Sequence, residues 1–159
     1  MHLLKASAGG YVRYDMIAIG SDHAGYDLKN EVIKYFEENG IEYKDCGTYS
    51  KESCDYPIYA EAVARAVQKG EAEKGVLVCG TGLGMSYAAN KLKGIRAAAL
   101  SDCVSARLAR EHNNANIVCF GQNIVGKAVA LEIIKIFLST EFQGGRHERR
   151  VAMIDKIEA

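Results

Sequence analysis

From Met16 onward the chain alternates short apolar runs with longer stretches in which apolar residues recur every three or four positions. The runs are MIAIG, IEYKDCG, GVLVCG, IRAAAL and NIVCFG. The stretches that follow them span Tyr26 to Asn39, Pro57 to Lys69, Met85 to Leu92, Cys103 to Glu111 and Val125 to Ser139. Short apolar runs bounded by turn residues predict strands, and a 3.6-residue apolar period predicts amphipathic helices. Leu28, Val32, Ile33 and Phe36 share one face of the first helix, which Asn39-Gly40 stops by offering a left-handed residue. Pro57, the chain's one proline, suits the first turn of the second. The pattern is five βα units, which predicts a doubly wound, Rossmann-like α/β fold with a five-stranded parallel sheet between two helical layers. His147 to Glu158 predicts an additional C-terminal helix outside the repeat.

The first fifteen residues, MHLLKASAGGYVRYD, lack this periodicity. We read 1–15 as a leader, whether expression remnant, upstream start or a presequence poor in positive charge, and 16–159 as a single domain.

In open parallel sheets ligands bind beyond the carboxyl ends of the strands, near a switch in strand order. Three strand ends therefore share a rim: Gly20 before Ser21-Asp22-His23, Cys79 before its glycine loop, and Phe120 before Gly121-Gln122-Asn123. The most telling stretch is GVLVCGTGLGMS, Gly75 to Ser86. It predicts a buried strand, a tight loop and a helix opening near Met85. Gly80, Gly82 and Gly84 lack a Cβ, so their N–H groups can approach a ligand oxygen, and the helix adds its positive end. A thiol at that edge is expected to ionise readily, which makes Cys79 a candidate base or nucleophile; the plain alternative is a small buried hydrophobe at a strand end. The loop is neither a dinucleotide fingerprint, since Met85 stands where the third glycine belongs, nor a Walker loop, since no Lys follows Gly84. Asp102, beyond the next apolar run, keeps a nucleotide-binding alternative open as a ribose-binding acid.

Charge and composition narrow the partners. Twenty Lys and Arg balance twenty Asp and Glu, which argues against a general nucleic-acid or membrane-surface binder. The five cysteines form no C-x-x-C pair and no zinc spacing, and no secretory signal or membrane-length apolar stretch accompanies them; we expect reduced thiols in the cytoplasm and no metal.

Three further groupings carry chemistry. Asp22-His23 pairs an acid with an imidazole, although Asp22 alone would also suit a helix cap. His112-Asn113-Asn114 ends the fourth helix, where an imidazole is also at home on the helix dipole. GGRHERR places Arg146 and Arg150 four apart on one helical face, able to converge on a phosphate, or simply solvated.

Taken in order, GSDHAG (Gly20 to Gly25), DYP (Asp55 to Pro57), CGTGLGMS, AANKLKGIRAA (Ala88 to Ala98), REHNNANI (Arg110 to Ile117) and GGRHERRV (Gly144 to Val151) resemble the type B ribose-5-phosphate isomerases and their allose- and galactose-6-phosphate relatives. The likeness runs from Met16 to the end. It implies an aldose–ketose isomerisation of a sugar phosphate, a step of the pentose phosphate pathway, without metal or organic cofactor. It also implies roles. Cys79 would carry a proton between the first two carbons through an enediolate held by the N–H groups of Gly80, Gly82, Leu83 and Gly84, with Thr81 shuttling protons. His112, assisted by Asp22, would open the furanose; Tyr56 and Asn113 would line the sugar; His23, Arg146 and Arg150 would grip the phosphate. Relatives often carry Arg where this chain has Asn123, so the clamp here has less charge. Six-carbon substrates stay open, and so does a non-catalytic nucleotide-binding module.

Topology adds one expectation. The helix from Cys103 runs back along the sheet, so ~9 residues at ~1.5 Å each carry His112 roughly 14 Å from the rim that holds Cys79. The two should meet only in a homodimer with shared sites, or in a dimer of such dimers.

Overall fold

The computed structural model describes residues 5–7, 10–12 and 15–157. Strands β1 (Lys5–Ser7) and β2 (Gly10–Val12) form an antiparallel ribbon of their own, separate from the main sheet. Of the expected leader, 1–4, 8–9 and 13–14 lie outside the described residues.

The main sheet is built from β3 (Ile17–Ser21), β4 (Tyr43–Asp45), β5 (Lys74–Cys79), β6 (Ala97–Ala99) and β7 (Ile117–Gly121). All pairings are parallel, in the order β4-β3-β5-β7-β6. Every residue of β3, β5 and β7 is buried, as strands covered on both faces require. Side chains alternate between two cores. Ile17, Ile19, Val76, Val78, Val118 and Phe120 face one layer of helices, and Ala18, Leu77, Cys79, Ile117 and Cys119 face the other.

The helices are α1 (Tyr26–Asn39), α2 (Tyr56–Gln68), α3 (Leu83–Ala89), α4 (Cys103–Glu111), α5 (Lys127–Ser139) and α6 (Arg146–Asp155). On the first face α1 and α4 flank α5, while α2 packs on α3 across the sheet. Gly40 ends α1 at φ 64°, and Pro57 sits in the first turn of α2, both as the sequence predicts. Two helix starts shift by two residues, and α3 and α6 end three residues early, at Ala89 and Asp155. α3 opens at Leu83 rather than Met85, because Gly82 at φ 82° already caps it, and α5 opens at Lys127 because the N–H groups of Ile124 and Val125 fold back onto the Gly121 carbonyl.

The strand order matters for the site. β3 and β5 are neighbours whose following helices, α1 and α3, go to opposite faces; so are β5 and β7, followed by α3 and α5. The carboxyl end of β5, which is Cys79, therefore lies between two crevices, each a place where such sheets bind ligands.

A fully buried lysine braces one side of this rim. Lys29, in the first turns of α1, pairs with Asp45 at 2.8 Å and donates to the Thr48 carbonyl, with the rings of Tyr26 and Tyr49 within 5.6 and 5.4 Å of its ammonium. It ties the end of β4 and the segment after it to α1, and Thr48 N–H completes the seam by donating to the Ser21 carbonyl of β3.

Candidate active site

The end of β5 is stitched to both neighbours. Asp22 N–H donates to the Val78 carbonyl at 3.3 Å, Gln122 N–H to that of Cys79 at 2.9 Å, and Asn123 N–H to that of Gly80 at 3.0 Å. Gln122 also accepts from Leu28 N–H at 2.9 Å, satisfying a free donor in the first turn of α1.

Within this frame the N–H of Gly82 donates to Sγ of Cys79 at 3.1 Å, so the buried sulfur acts as an acceptor facing the loop. Among the described residues, the N–H groups of Gly80 and Thr81 have no acceptor in the chain, which leaves a pair of donors beside the thiol. Thr81 Oγ1 accepts from Leu83 N–H at 3.3 Å. Behind Cys79, burial and then the neighbouring Cys79 push the thiol of Cys119 far above the usual range, so it stays a protonated, apolar part of the wall.

The glycines serve the chain more than the sequence suggests. A Cβ on Gly82 would stand 2.8 Å from Cα of Phe120, and one on Gly84 would stand 2.7 Å from the Tyr56 ring. These two are needed for packing against β7 and for seating Tyr56. At Gly80 a Cβ would meet only Nδ2 of Asn123, at 3.3 Å, and Ala24, so that glycine keeps the expected open approach. With α3 only seven residues long, the loop's own N–H groups, and not a long helix, supply the positive end.

On the β3 side, Asp22 Oδ1 accepts from Gly25 N–H at 3.0 Å in a buried position, closing the turn before α1, whose N-cap is Gly25 and not Asp22. His23 Nδ1 accepts from Cys54 N–H at 3.2 Å, which leaves Nε2 to carry the ring's proton when the imidazole is neutral. Asp102, the acid a nucleotide site would need, is occupied differently: its Oδ1 accepts from Ser105 N–H at 2.7 Å and caps α4, and that bond holds its carboxyl below the usual range.

The remaining predicted residues lie elsewhere. His112 is the C-cap of α4, and the turn after it leads through Asn113 and Asn114 to the start of β7. There Gly75 N–H donates to Asn116 at 2.9 Å, and Gly75 pairs with Ile117, so His112 stands level with the start of β5. From Gly75 to Cys79 is four strand steps, or ~13 Å at ~3.3 Å per residue. Arg146 and Arg150 are exposed on α6, which is fastened to this far edge: Gln143 N–H donates to the Glu111 carbonyl, and Arg96 pairs with Asp155 at 3.1 Å. One chain thus gathers Cys79, Thr81, Asp22, His23, Tyr56 and Asn123 on one rim, and His112, Asn113, Arg146 and Arg150 on the other.

Sequence reasoning overlooked two of the far-edge residues. Arg110 is buried and donates to the Thr140 carbonyl, Asn114 Oδ1 and the Ala115 carbonyl, which knits the His112–Asn113 turn from behind. His147 stacks on His112, with ring centroids 4.3 Å apart and planes 12° apart. An Arg four residues before Asn114 was a readable signal for the first; nothing in GGRHERR marked the second. Two of the cavities border these two rim groups. One of about 240 Å³ lies against Thr81 and Leu83, and one of about 450 Å³ lies at the far edge beside Asn113 and Arg96.

A doubly wound parallel sheet with a thiol and a pair of unused backbone donors at its central strand end defines an α/β protein whose rim offers hydrogen bonds that an anion or oxyanion could accept. The chain belongs to the ribose/galactose isomerase family, whose model matches residues 17–154. It is 48% identical over 142 residues to ribose-5-phosphate isomerase B of Escherichia coli, covering 89% of this chain and 95% of that one. Among solved structures, the Thermotoga maritima ribose 5-phosphate isomerase matches at 52% identity and a TM-score of 0.89, covering 91% and 99% of the two chains. The Mycoplasma genitalium ribose-5-phosphate isomerase B, solved with bound ribulose 5-phosphate, matches at 39% identity and a TM-score of 0.86, covering 90% and 95%.

Proposed function

We propose that the domain from residue 16 onward interconverts D-ribose 5-phosphate and D-ribulose 5-phosphate, with Cys79 as the carbon base. The observation that carries the chemistry is the thiol of Cys79 beside the unused N–H groups of Gly80 and Thr81, at the strand end where this fold binds ligands. Proton abstraction next to a carbonyl needs a base and, within reach, donors for the oxygen on which charge develops. Cys79 takes the proton from the second carbon, its electrons form the enediolate, and the same sulfur returns the proton to the first carbon. Thr81 moves a proton between the two oxygens. Before this, ring opening breaks the bond between the first carbon and the ring oxygen while a proton passes from the anomeric hydroxyl to that oxygen. His112 is the residue we assign to this transfer, with Asp22 in support.

Phosphate recognition falls to His23, Arg146 and Arg150, and the sugar to Tyr56 and Asn113. Because the two groups stand at opposite ends of the sheet, we propose a homodimer in which each site takes Cys79 from one chain and His112 from the other. Five free cysteines support a reducing, cytoplasmic setting, and among the described residues no helix is long and apolar enough to cross a membrane. A coupled assay on ribose, allose and galactose phosphates tests the substrate. Preferred turnover of the five-carbon aldose is the expected result, and preference for a six-carbon phosphate would reassign it.

A further inference from the structure

His147 is a polar side chain at the far edge to which the isomerisation scheme gives no task. It lies in the first turn of α6 between Arg146 and Arg150, and its ring lies flat on that of His112, 4.3 Å away and tilted by 12°. Building on the assignment of ring opening to His112, we propose that His147 is a positioning residue: its stacked ring sets the plane of the His112 imidazole and couples it to the helix that carries the phosphate-binding arginines.

Three observations support this. First, α6 is held in place independently of the stack. Gln143 N–H donates to the Glu111 carbonyl, the residue before His112, and Arg96 holds Asp155 at the helix's other end. Second, the approach is made by Gly144 and Gly145 at φ 65° and 56°, and His147 N–H closes the turn on the Gly144 carbonyl at 3.1 Å, so the ring is delivered by an ordered turn. Third, the surrounding charges are largely committed elsewhere. Glu111 pairs with Arg107 at 2.8 Å, Arg110 is turned into the carbonyls of Thr140 and Ala115, and Glu148 follows on α6; Arg146 and Arg150 are the cations beside the stack. Burial, His112 and these two arginines all push His147 below its ordinary value, which favours a neutral ring at neutral pH. A neutral ring on one face of His112 leaves the edge nitrogens of His112 to exchange protons with the sugar.

The chemistry of the two sugars provides the test. Ribulose 5-phosphate stays open, since its fifth oxygen carries the phosphate, whereas ribose 5-phosphate is a furanose that must be opened. Two measurements on the full chain separate the steps: exchange of solvent deuterium into the first carbon of ribulose 5-phosphate, and the dependence of ribose 5-phosphate turnover on enzyme concentration. In His147→Ala, exchange should persist near the wild-type rate, which also shows that the variant is folded. Aldose turnover per enzyme should fall roughly 10–10²-fold, the scale of a displaced catalytic group, and level off with added enzyme at the rate of spontaneous ring opening. His147→Phe, which keeps a flat ring, should restore proportionality. If His112→Ala shows the plateau and His147→Ala does not, the inference is overturned while the role of His112 stands. If His112→Ala opens the ring normally, both fall. Equal loss of exchange and turnover in His147→Ala, or loss that His147→Phe does not restore, also overturns the inference.

Discussion

The backbone N–H of Gly82 points at the sulfur of Cys79 from 3.1 Å, across a loop that closes on itself within three residues. The thiol and its nearest donor therefore belong to one turn, and the geometry does not depend on a distant side chain. Cys79→Ala should lower turnover by ~10²–10⁴, the range expected for loss of a positioned base, with modest change in the Michaelis constant. Deuterium exchange into ribulose 5-phosphate should vanish with it. Exhaustive chelation should leave the wild-type rate unchanged. Near-normal exchange by Cys79→Ala would remove the sulfur from the mechanism.

The separation of Cys79 from His112 predicts complementation. Cys79→Ala, inactive on ribose 5-phosphate, and His112→Ala, limited to the rate at which the aldose opens spontaneously, are unfolded together and refolded, and turnover above that plateau is the readout. In a mixed dimer one site collects both defects and the other neither, so random reassortment should restore up to about a quarter of wild-type sites. Mass spectrometry of isotopically labelled chains verifies subunit exchange. Exchange without recovered activity would place the whole site in one chain.

Arg146 and Arg150 stand one helical turn apart on exposed α6, a spacing that suits two forks on one phosphate. Replacing either with Ala should raise the Michaelis constant for the sugar phosphate much more than it lowers turnover. Asn123 rests against Gly80 on the opposite rim. Asn123→Arg should strengthen inhibition by inorganic phosphate, and an unchanged inhibition constant would show that position 123 does not face the anion.

His147 predicts a pH effect with a definite sign. Burial first, then His112, Arg146 and Arg150, hold its folded value below the ordinary ~6.5. Between the two values the unfolded chain binds the extra proton, so the stability this neutral ring contributes is whole above pH ~6.5 and declines on acidification toward the folded value. Sulfate bound at the arginines would offset two of the causes and raise the His147 midpoint. Imidazole resonances followed by NMR, with and without sulfate, measure both shifts, and a midpoint that sulfate leaves in place would separate His147 from the anion site.

Much of the fold was written in the chain's periodicity. Alternating runs are sufficient to define parallel strands and covering helices, and Gly40 and Pro57 mark local stereochemistry that no tertiary contact overrides. The insertion of β7 between β5 and β6 was not legible, because strand order depends on which edges remain free when the layers pack. Among the site residues, Cys79 and Asp22 stood out through their neighbours in sequence. Local pattern did not reveal the packing need for Gly82 and Gly84, since a missing Cβ looks the same whether the atom approaching is a ligand's or Phe120's and Tyr56's. His147 stayed hidden within a basic run, its partner being on another helix.

The strand order also governs how this protein comes into being. During synthesis β5 emerges with β3 already able to pair on one side, but its other side is completed only by β7, after β6 and α4 have left the ribosome. β6 in turn has no neighbour except β7. The strand that ends in Cys79 thus spends part of biogenesis as a naked edge, its thiol without the cover that β7 later brings, and that interval is when the nascent chain is most exposed to strand-to-strand aggregation.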